Sequence, residues 1–184
     1  MNEVLKVIAE RYSCRDFKTE MPTDEMLNLI AEAAVQAPSG MNNQPWKVIV
    51  VKNEQLLKDI EDEGLYFLSQ SEDKSAYERI MGRGGKLFYN APCMIVVPTP
   101  AGGAQLDCGI VCQNITLAAA SLGLATVICG LTGCAFMTNR RTDEFNKRLG
   151  IPDGYGFCCS VLVGYPNTAT KPHKPDKSKI SFVE

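Results

Sequence analysis

The chain has 184 residues and a formal net charge of −2, with 19 Lys and Arg against 21 Asp and Glu. Hydrophobic residues make up 45% and charged residues 22%, a composition that fits one globular domain and excludes intrinsic disorder, collagen and a small disulfide scaffold. Without a basic block, the chain has no electrostatic basis for binding nucleic acid or an anionic membrane surface.

The first half of the chain alternates helix and strand patterns. Residues 2–10 predict a short helix with its apolar residues on one side. Thr23 is a suitable N-cap for a second helix, which Pro38 ends. Residues 46–51 predict a strand that is buried on both faces, and Asn53 caps a third helix.

The second half continues this alternation and ends in a polar tail. The predicted strands are residues 93–97, 124–129 and 157–163, and the predicted helices are 105–122 and 142–149. Residues 165–184 are polar and rich in Lys and Pro, so they cannot pack on themselves. The tail is therefore either disordered or laid across another surface.

No charged residue occurs from position 108 to position 139. A membrane span is a poor explanation, because this stretch contains Gln, Asn, Thr and Ser together with four glycines. A buried helix followed by a buried strand explains it better, and a helix that is apolar on nearly all sides is often packed by a partner subunit. The opening residues also lack the pattern of a signal peptide, so we expect a soluble, cytoplasmic protein.

Eight cysteines are present, and no two have the C-x-x-C spacing of zinc ribbons and thioredoxin-like sites. Most have apolar neighbours, which favours buried free thiols in a reducing compartment. Cys108 and Cys112 share one helix face, so a redox or metal site there is an alternative to a buried stripe.

Two polar segments contain the groups that can bind an anionic heterocyclic ligand. Residues 11–15 read R-Y-S-C-R, and two guanidiniums with a hydroxyl suit one phosphate, although such arginines also form surface ion pairs. Residues 37–46 read A-P-S-G-M-N-N-Q-P-W, in which Gly40 permits an unusual backbone angle. The hydroxyl and three carboxamides of this loop suit the edge of a flat heterocycle, and they also suit an ordinary capped polar loop.

Four blocks in order along the chain resemble the nitroreductase family of FMN-dependent oxidoreductases. They are R-x-S-x-R at 11–15, A-P-S-G-x-N-x-Q-P-W at 37–46, L-G-L-A-T at 122–126, and G-Y-P followed by K-P-x-K-P within 164–175. The resemblance implies a single FMN-binding α+β domain over residues 1–184, with a central mixed sheet flanked by helices, in an intertwined homodimer. It also implies that the helix 105–122 lies at the subunit interface and that residues 165–184 form an arm over the partner.

The resemblance assigns four groups of residues to FMN. The phosphate and ribityl contacts match Arg11, Tyr12, Ser13 and Arg15, and the loop brought by the other subunit matches Pro38, Ser39, Gly40, Asn42 and Gln44. Backbone N–H groups beside the ring fall at Ile128, Cys129, Gly130 and Leu131, and the late basic contact falls near Lys171 and His173. Tyr12 and His173 stand where the family usually has Arg, and Ile128–Cys129 replaces a pair that usually contains an aromatic residue.

The implied activity is hydride uptake from NADH or NADPH, followed by electron transfer to nitroaromatics, quinones or similar acceptors in a ping-pong mechanism. Protein side chains then orient the cofactor, and no catalytic side chain or metal is required. A flavin-binding dimer without turnover, acting as a sensor or reservoir, is the alternative. Residues 61–90 correspond to the family's active-site cover, and we expect most of their aromatic side chains to pack a small helical subdomain.

Overall fold

The computed structural model describes residues 2–168 and 171–184. The helices are α1 (Glu3–Glu10), α2 (Asp24–Val35), α3 (Glu54–Gln70), α4 (Ser75–Met81), α5 (Gln105–Ser121) and α6 (Thr142–Leu149). The strands are β1 (Ile49–Val51), β2 (Cys93–Pro100), β3 (Ala125–Ile128) and β4 (Tyr155–Gly164). Short 3₁₀ segments occupy Gly40–Asn42, Gly130–Phe136 and Lys177–Lys179.

The helix starts follow the predicted capping residues. The Thr23 side chain accepts a hydrogen bond from the Met26 N–H at 3.3 Å, and the Asn53 side chain accepts one from the Leu56 N–H at 2.8 Å. Each bond satisfies one of the backbone donors that a helix start leaves without a partner. Strand β1 is shorter than predicted, because the backbone enters it from a left-handed residue, Gln44, and pairs regularly only from Ile49.

The four strands lie in the order β1-β2-β4-β3, and every neighbouring pair is antiparallel. The sheet is therefore antiparallel and not mixed as predicted, whereas the α+β class with flanking helices is confirmed. The connection through α5 makes β2 and β3 run in the same direction, but β4 lies between them and runs oppositely. Among the described residues, the parallel pairing is confined to an isolated bridge between Ser13 and Thr126.

The sheet separates two apolar cores. On one face Met94, Val96 and Leu162 pack with α3, and on the other face Ile95 and Val97 pack with α2 and α5. Because both faces are covered, β2 is buried along nearly its whole length. This explains why its sequence is an apolar run without alternation.

Helix α5 is buried on the side that faces the sheet and open on the other. Cys108, Val111 and Ile115 are at most 1% exposed, whereas Leu106 is 79% exposed. The Asn114 side-chain amide donates to the Ala33 carbonyl oxygen at 2.9 Å and ties α5 to α2. No helix within residues 2–168 or 171–184 combines the length and apolar content needed to cross a membrane.

The first residues of the C-terminal segment are hydrogen-bonded to their own subunit. The Lys18 N–H donates to the Tyr165 carbonyl oxygen at 2.9 Å, and the Asn167 N–H donates to the Asp16 carbonyl oxygen at the same distance. These two bonds hold Tyr165 and Asn167, the first residues of the predicted arm, against their own subunit. Residues 171–184 are exposed throughout, and Ala169 and Thr170 lie outside the described residues.

Two glycines of β4 differ in the space available for a side chain. A Cβ at Gly164 would lie 2.9 Å from Pro92 Cδ and 3.1 Å from Phe17 Cδ1, whereas a Cβ at Gly156 meets nothing within 4 Å. We expect Gly164→Ala to lower the free energy of unfolding by about 1–3 kcal/mol, because the packed neighbours must move. Gly156→Ala is the matched control, with little change in urea unfolding at equal protein concentration. Equal losses in both variants would contradict this account.

Candidate functional site

Residues 11–15 lie along the open edge of β3. The Arg11 N–H closes α1 by donating to the Val7 carbonyl oxygen at 3.0 Å. Ser13 then pairs with Thr126, and the Cys14 N–H donates to the Thr126 carbonyl oxygen at 2.8 Å. Because Cys14 is completely buried, it fixes this segment in place while Arg15 remains exposed.

The two arginines of this segment have different surroundings. Arg11 is half-buried and lines a groove of about 380 Å³ together with Lys6, Glu3 and Glu10, so positive and negative side chains balance there. Arg15 does not line that groove, and none of the ion pairs found among the described residues includes it. The interpretation of Arg15 as an ordinary surface ion pair is therefore not supported in the described part of the chain.

The backbone that follows β3 turns sharply and presents N–H groups. The Cys129 N–H donates to the Ser160 carbonyl oxygen at 2.8 Å, and a 3₁₀ segment begins at Gly130. Burial raises the pKa of the Cys129 thiol, and the Thr132 side chain together with the backbone N–H groups of Thr132 and Leu131 partly offsets this effect. The hydrogen bonds of the described residues give the Gly130 N–H no acceptor, and Gly130 is exposed.

The loop 38–44 has an unusual backbone at residues other than its glycine. Met41, Asn42 and Gln44 have φ values of 51°, 55° and 46°, whereas Gly40 is not in the left-handed region. The expectation that Gly40 supplies the special angle is therefore wrong. The Ser39 hydroxyl oxygen accepts a hydrogen bond from the Gln44 N–H at 2.9 Å, and the Asn42 side-chain oxygen accepts one from the Gln44 amide at 3.3 Å. These bonds hold a conformation that non-glycine residues seldom adopt.

The structure brings together only part of the predicted site within one subunit. Residues 11–15 lie beside β3, which leads directly into 128–131, so these two groups are neighbours. The loop 38–44 precedes β1 at the opposite edge of the sheet, about 14 Å away across three strand spacings. The loop is also displaced by ~20 Å along the strand direction. Lys47, just after the loop, is bonded to Pro98, which pairs with Phe157 near the start of β4, whereas Thr126 pairs with Val163 near its end.

The late basic residues and most of the loop residues are exposed in this subunit. Lys171 and His173 are both exposed, and no ion pair found among the described residues includes either of them. Pro38, Gly40, Asn42 and Gln44 are exposed as well, and Ser39 is half-buried. In these positions, the two groups could fill their predicted roles only at a site shared with a second subunit.

A second cavity was missed by the sequence analysis. It has a volume of about 420 Å³, and its lining includes Gly130, Phe136, Asn146, Phe157 and Cys158. The Phe136 and Phe157 rings stack at 4.8 Å between centroids, and the Asn146 Oδ1 atom is buried without a hydrogen-bond partner among the described residues. These residues are separated along the chain, so no local motif signals that they meet.

The aromatic residues of the cover region mostly pack inward, as expected. Phe88 is buried, and Phe67, Tyr77 and Tyr89 pack against the core on the α3 face. Tyr66 is 42% exposed and lies under the Arg140 guanidinium, 3.8 Å from the ring centroid.

Within residues 2–168 and 171–184, no group of three or more His, Cys, Asp or Glu side chains has an arrangement that could hold a metal ion. Five of the eight cysteines are buried and the other three are half-buried, in agreement with the prediction of free thiols in the core. The polar groups that residues 11–15, 38–44 and 128–131 offer are guanidiniums, hydroxyls, carboxamides and backbone N–H groups.

Comparison with known proteins connects this geometry to one family. Residues 8–165 match the model of the nitroreductase family. The chain belongs to the nitroreductase family. A putative NADH dehydrogenase/NAD(P)H nitroreductase of Archaeoglobus fulgidus is 30% identical over 90% of this chain and 87% of its own length. An FMN reductase [NAD(P)H] of Bacillus subtilis is 28% identical over 97% of this chain and 72% of its own length.

Solved nitroreductases have the same fold. A nitroreductase with bound FMN from Desulfitobacterium hafniense DCB-2 is 64% identical, with a TM-score of 0.97 and complete coverage of both chains. A nitroreductase with bound FMN from Bacteroides fragilis is 28% identical, with a TM-score of 0.88 and complete coverage of both chains. Dimers are typical of this family.

The left-handed backbone of the loop 38–44 can be tested at Met41. This side chain is 92% exposed, so replacing it changes the backbone preference and little packing. We expect the Met41→Gly variant to be more stable than the Met41→Val variant, with a free energy of unfolding about 1 kcal/mol higher. The reason is that a β-branched residue is strongly disfavoured at positive φ. Urea unfolding of the two variants measures the difference. The opposite order, or no difference, would show that the backbone is not left-handed at Met41 in solution.

Proposed function

We propose that this protein is an FMN-dependent oxidoreductase that takes hydride from NADH or NADPH and passes electrons to nitroaromatics, quinones or similar acceptors by a ping-pong mechanism. The observation that carries the proposal is the pairing of Ser13 with Thr126. This bridge holds residues 11–15 along β3, the strand that leads into residues 128–131, and this neighbourhood supports a shared role for the two segments. This arrangement offers binding groups for a phosphate and for the polar edge of a ring.

The residues present fit FMN in charge and in hydrogen-bonding capacity. Arg15 and Arg11 offer guanidinium forks for a phosphate, and Ser13 and Tyr12 offer hydroxyls for the phosphate or the ribityl chain. The Gly130 N–H, which lacks an acceptor among the described residues, suits the electron-rich edge of the ring. When bound, FMN supplies the hydride and electron-transfer chemistry that side chains lack.

The remaining predicted contacts support a homodimer in which each flavin site uses both chains. Pro38, Ser39, Gly40, Asn42 and Gln44 lie too far from Arg15 to reach the same small molecule within one subunit. A two-fold axis exchanges such surfaces, so the partner's loop completes the site. The exposed tail with Lys171 and His173 fits an arm that reaches the partner.

Two further observations support the proposed acceptor class and cellular location. The stacked Phe136 and Phe157 rings line a cavity that also reaches Gly130, and aromatic rings in a cavity wall suit flat aromatic acceptors. Eight free thiols suit a reducing compartment, which supports a cytoplasmic protein.

Arg15 is the side chain to test for cofactor binding. Arg15→Ala should weaken FMN binding by about 10- to 100-fold, since a charged hydrogen bond contributes about 1.5–3 kcal/mol. Lys18→Ala is the matched control, because Lys18 is also exposed and cationic but lies beyond the predicted contacts. Fluorescence titration of the flavin-free protein with FMN measures both affinities. Equal weakening in the two variants would assign the effect to general charge.

Mixed dimers test whether one site uses two chains. The Arg11→Ala/Arg15→Ala and Ser39→Ala/Asn42→Ala variants should each bind FMN poorly as homodimers. After they are mixed equally and allowed to exchange subunits, half of the dimers carry one intact site, so about a quarter of the wild-type sites should return. No recovery after verified exchange would contradict the shared site.

Turnover separates the oxidoreductase from a flavin reservoir. Anaerobic NADH or NADPH should bleach the bound flavin quickly, and a quinone should restore its colour. Initial rates at several quinone concentrations should give parallel double-reciprocal lines. A bound flavin that neither nicotinamide bleaches would favour the reservoir, and intersecting lines would contradict the ping-pong order.

A further inference from the structure

A β-bulge in β4 turns two consecutive cysteines toward the same core. Val97 pairs with Cys159, but the next residue, Pro98, pairs with Phe157, so Cys158 is an extra residue in the ladder. In a regular strand, Cys158 and Cys159 would point to opposite faces. Both instead pack against the core that contains α2 and α5, while Phe157 packs on the α3 side. A bulge re-aims side chains in this way.

Helix α5 presents two further thiols to the bulge. Cys108 and Cys112 are one turn apart on the buried face of α5, and each is 1% exposed. The Cys108 thiol lies 3.9 Å from the carbonyl oxygen of Val97, the ladder partner of Cys159. Cys108 and Cys112 pack in the same core as Cys158 and Cys159, and the Cys108 thiol interacts with the other three. We name Cys108, Cys112, Cys158 and Cys159 the thiol cluster.

The members of the thiol cluster differ in accessibility and in acidity. Cys158 and Cys159 are half-buried, and Cys158 lines the cavity that also reaches Gly130. The neighbouring Cys108 and Cys112 thiols lower the pKa of Cys159 below its ordinary value. Contact with Cys112 and Cys159, together with burial, raises the pKa of Cys108. Contact with Cys108 lowers the pKa of Cys112, but contact with Cys159 and burial raise it to about 12. The thiolate is therefore favoured at Cys159 over Cys108 and Cys112.

We propose that Cys159 is a hydroperoxide-reactive thiol and that Cys108 converts its oxidised form into a disulfide joining β4 to α5. The geometry that supports this is a partly exposed thiol held by the bulge against a buried thiol on the facing helix. The inference does not depend on the proposed function, because neither a flavin nor a nicotinamide takes part in the reaction.

The two steps balance with a hydroperoxide as the oxidant. The Cys159 thiolate attacks one peroxide oxygen, the O–O bond breaks, and Cys159 becomes a sulfenic acid while hydroxide or alkoxide leaves. The sulfur loses two electrons and the peroxide gains them. The Cys108 sulfur then attacks the Cys159 sulfur, and the thiol proton leaves with the displaced hydroxyl as water. An external dithiol returns both sulfurs to the reduced state.

The purified protein treated with an equimolar amount of hydrogen peroxide tests this proposal. Its titratable thiols, counted after denaturation, should fall from eight to six, and peptide mapping should find a Cys108–Cys159 disulfide that dithiothreitol reverses. In Cys108→Ala, dimedone should instead trap a sulfenic acid at Cys159. An unchanged thiol count, or a disulfide that omits either residue, would overturn the proposal.

Cys134 is the matched control, because it is half-buried but lies outside the thiol cluster and its pKa is raised by burial. Cys134→Ser should form the same disulfide as the wild type. In the wild type, Cys159 should react with peroxide at least about tenfold faster than Cys134 at neutral pH. As the pH falls from about 8 to 6, the rate at Cys159 should hold while that at Cys134 declines, since the fraction of thiolate falls only where the pKa is high. Equal rates at both sites would contradict a specialised Cys159.

Discussion

The bridge between Ser13 and Thr126 is the constraint on which the candidate site depends. It extends the edge of the sheet by a short segment and sets that segment beside the turn that follows β3. The anchor is apolar, because the fully buried Cys14 lies between Ser13 and the exposed Arg15. A buried side chain therefore fixes the polar groups on either side of it.

The loop 38–44, which the proposed site also requires, lies elsewhere in the fold. The loop 38–44 belongs to the opposite edge of the sheet and keeps a left-handed backbone through its own hydrogen bonds. Strain of this kind persists only when the surroundings hold it, and it is common at binding sites. The fold thus prepares two separated surfaces, and a symmetric dimer is the simplest way for them to meet.

The elements that the sequence predicts well are those set by neighbouring residues. Thr23 and Asn53 cap their helices locally, and α6 matches its predicted residues 142–149. The apolar pattern also identifies β2 and α5. Strand β2 is buried on both faces, which removes alternation, and α5 has apolar residues on its open side as well as on its buried side. The family resemblance adds the order of the binding segments, which periodicity alone does not contain.

What the sequence does not reveal depends on register and on contacts between distant residues. The position of β4 between β2 and β3, which makes the sheet antiparallel, is set by tertiary packing. The extra residue at Cys158 appears only when two strands are paired, so neither the stacked Phe157 nor the thiol cluster was predictable. Likewise, positive φ was predicted at Gly40 because glycine adopts it most easily. The hydrogen bonds of the loop instead hold Met41, Asn42 and Gln44 at positive φ.

The strand order also has a consequence for biosynthesis. Strand β4 is the last to be translated, yet it occupies an interior position between two strands made earlier. Until the ribosome has released residues 155–164, β2 and β3 have no common neighbour, and their backbone N–H and C=O groups are open to wrong partners. The sheet can therefore close only after β4 has been made, and this interval is when protection by a chaperone matters most.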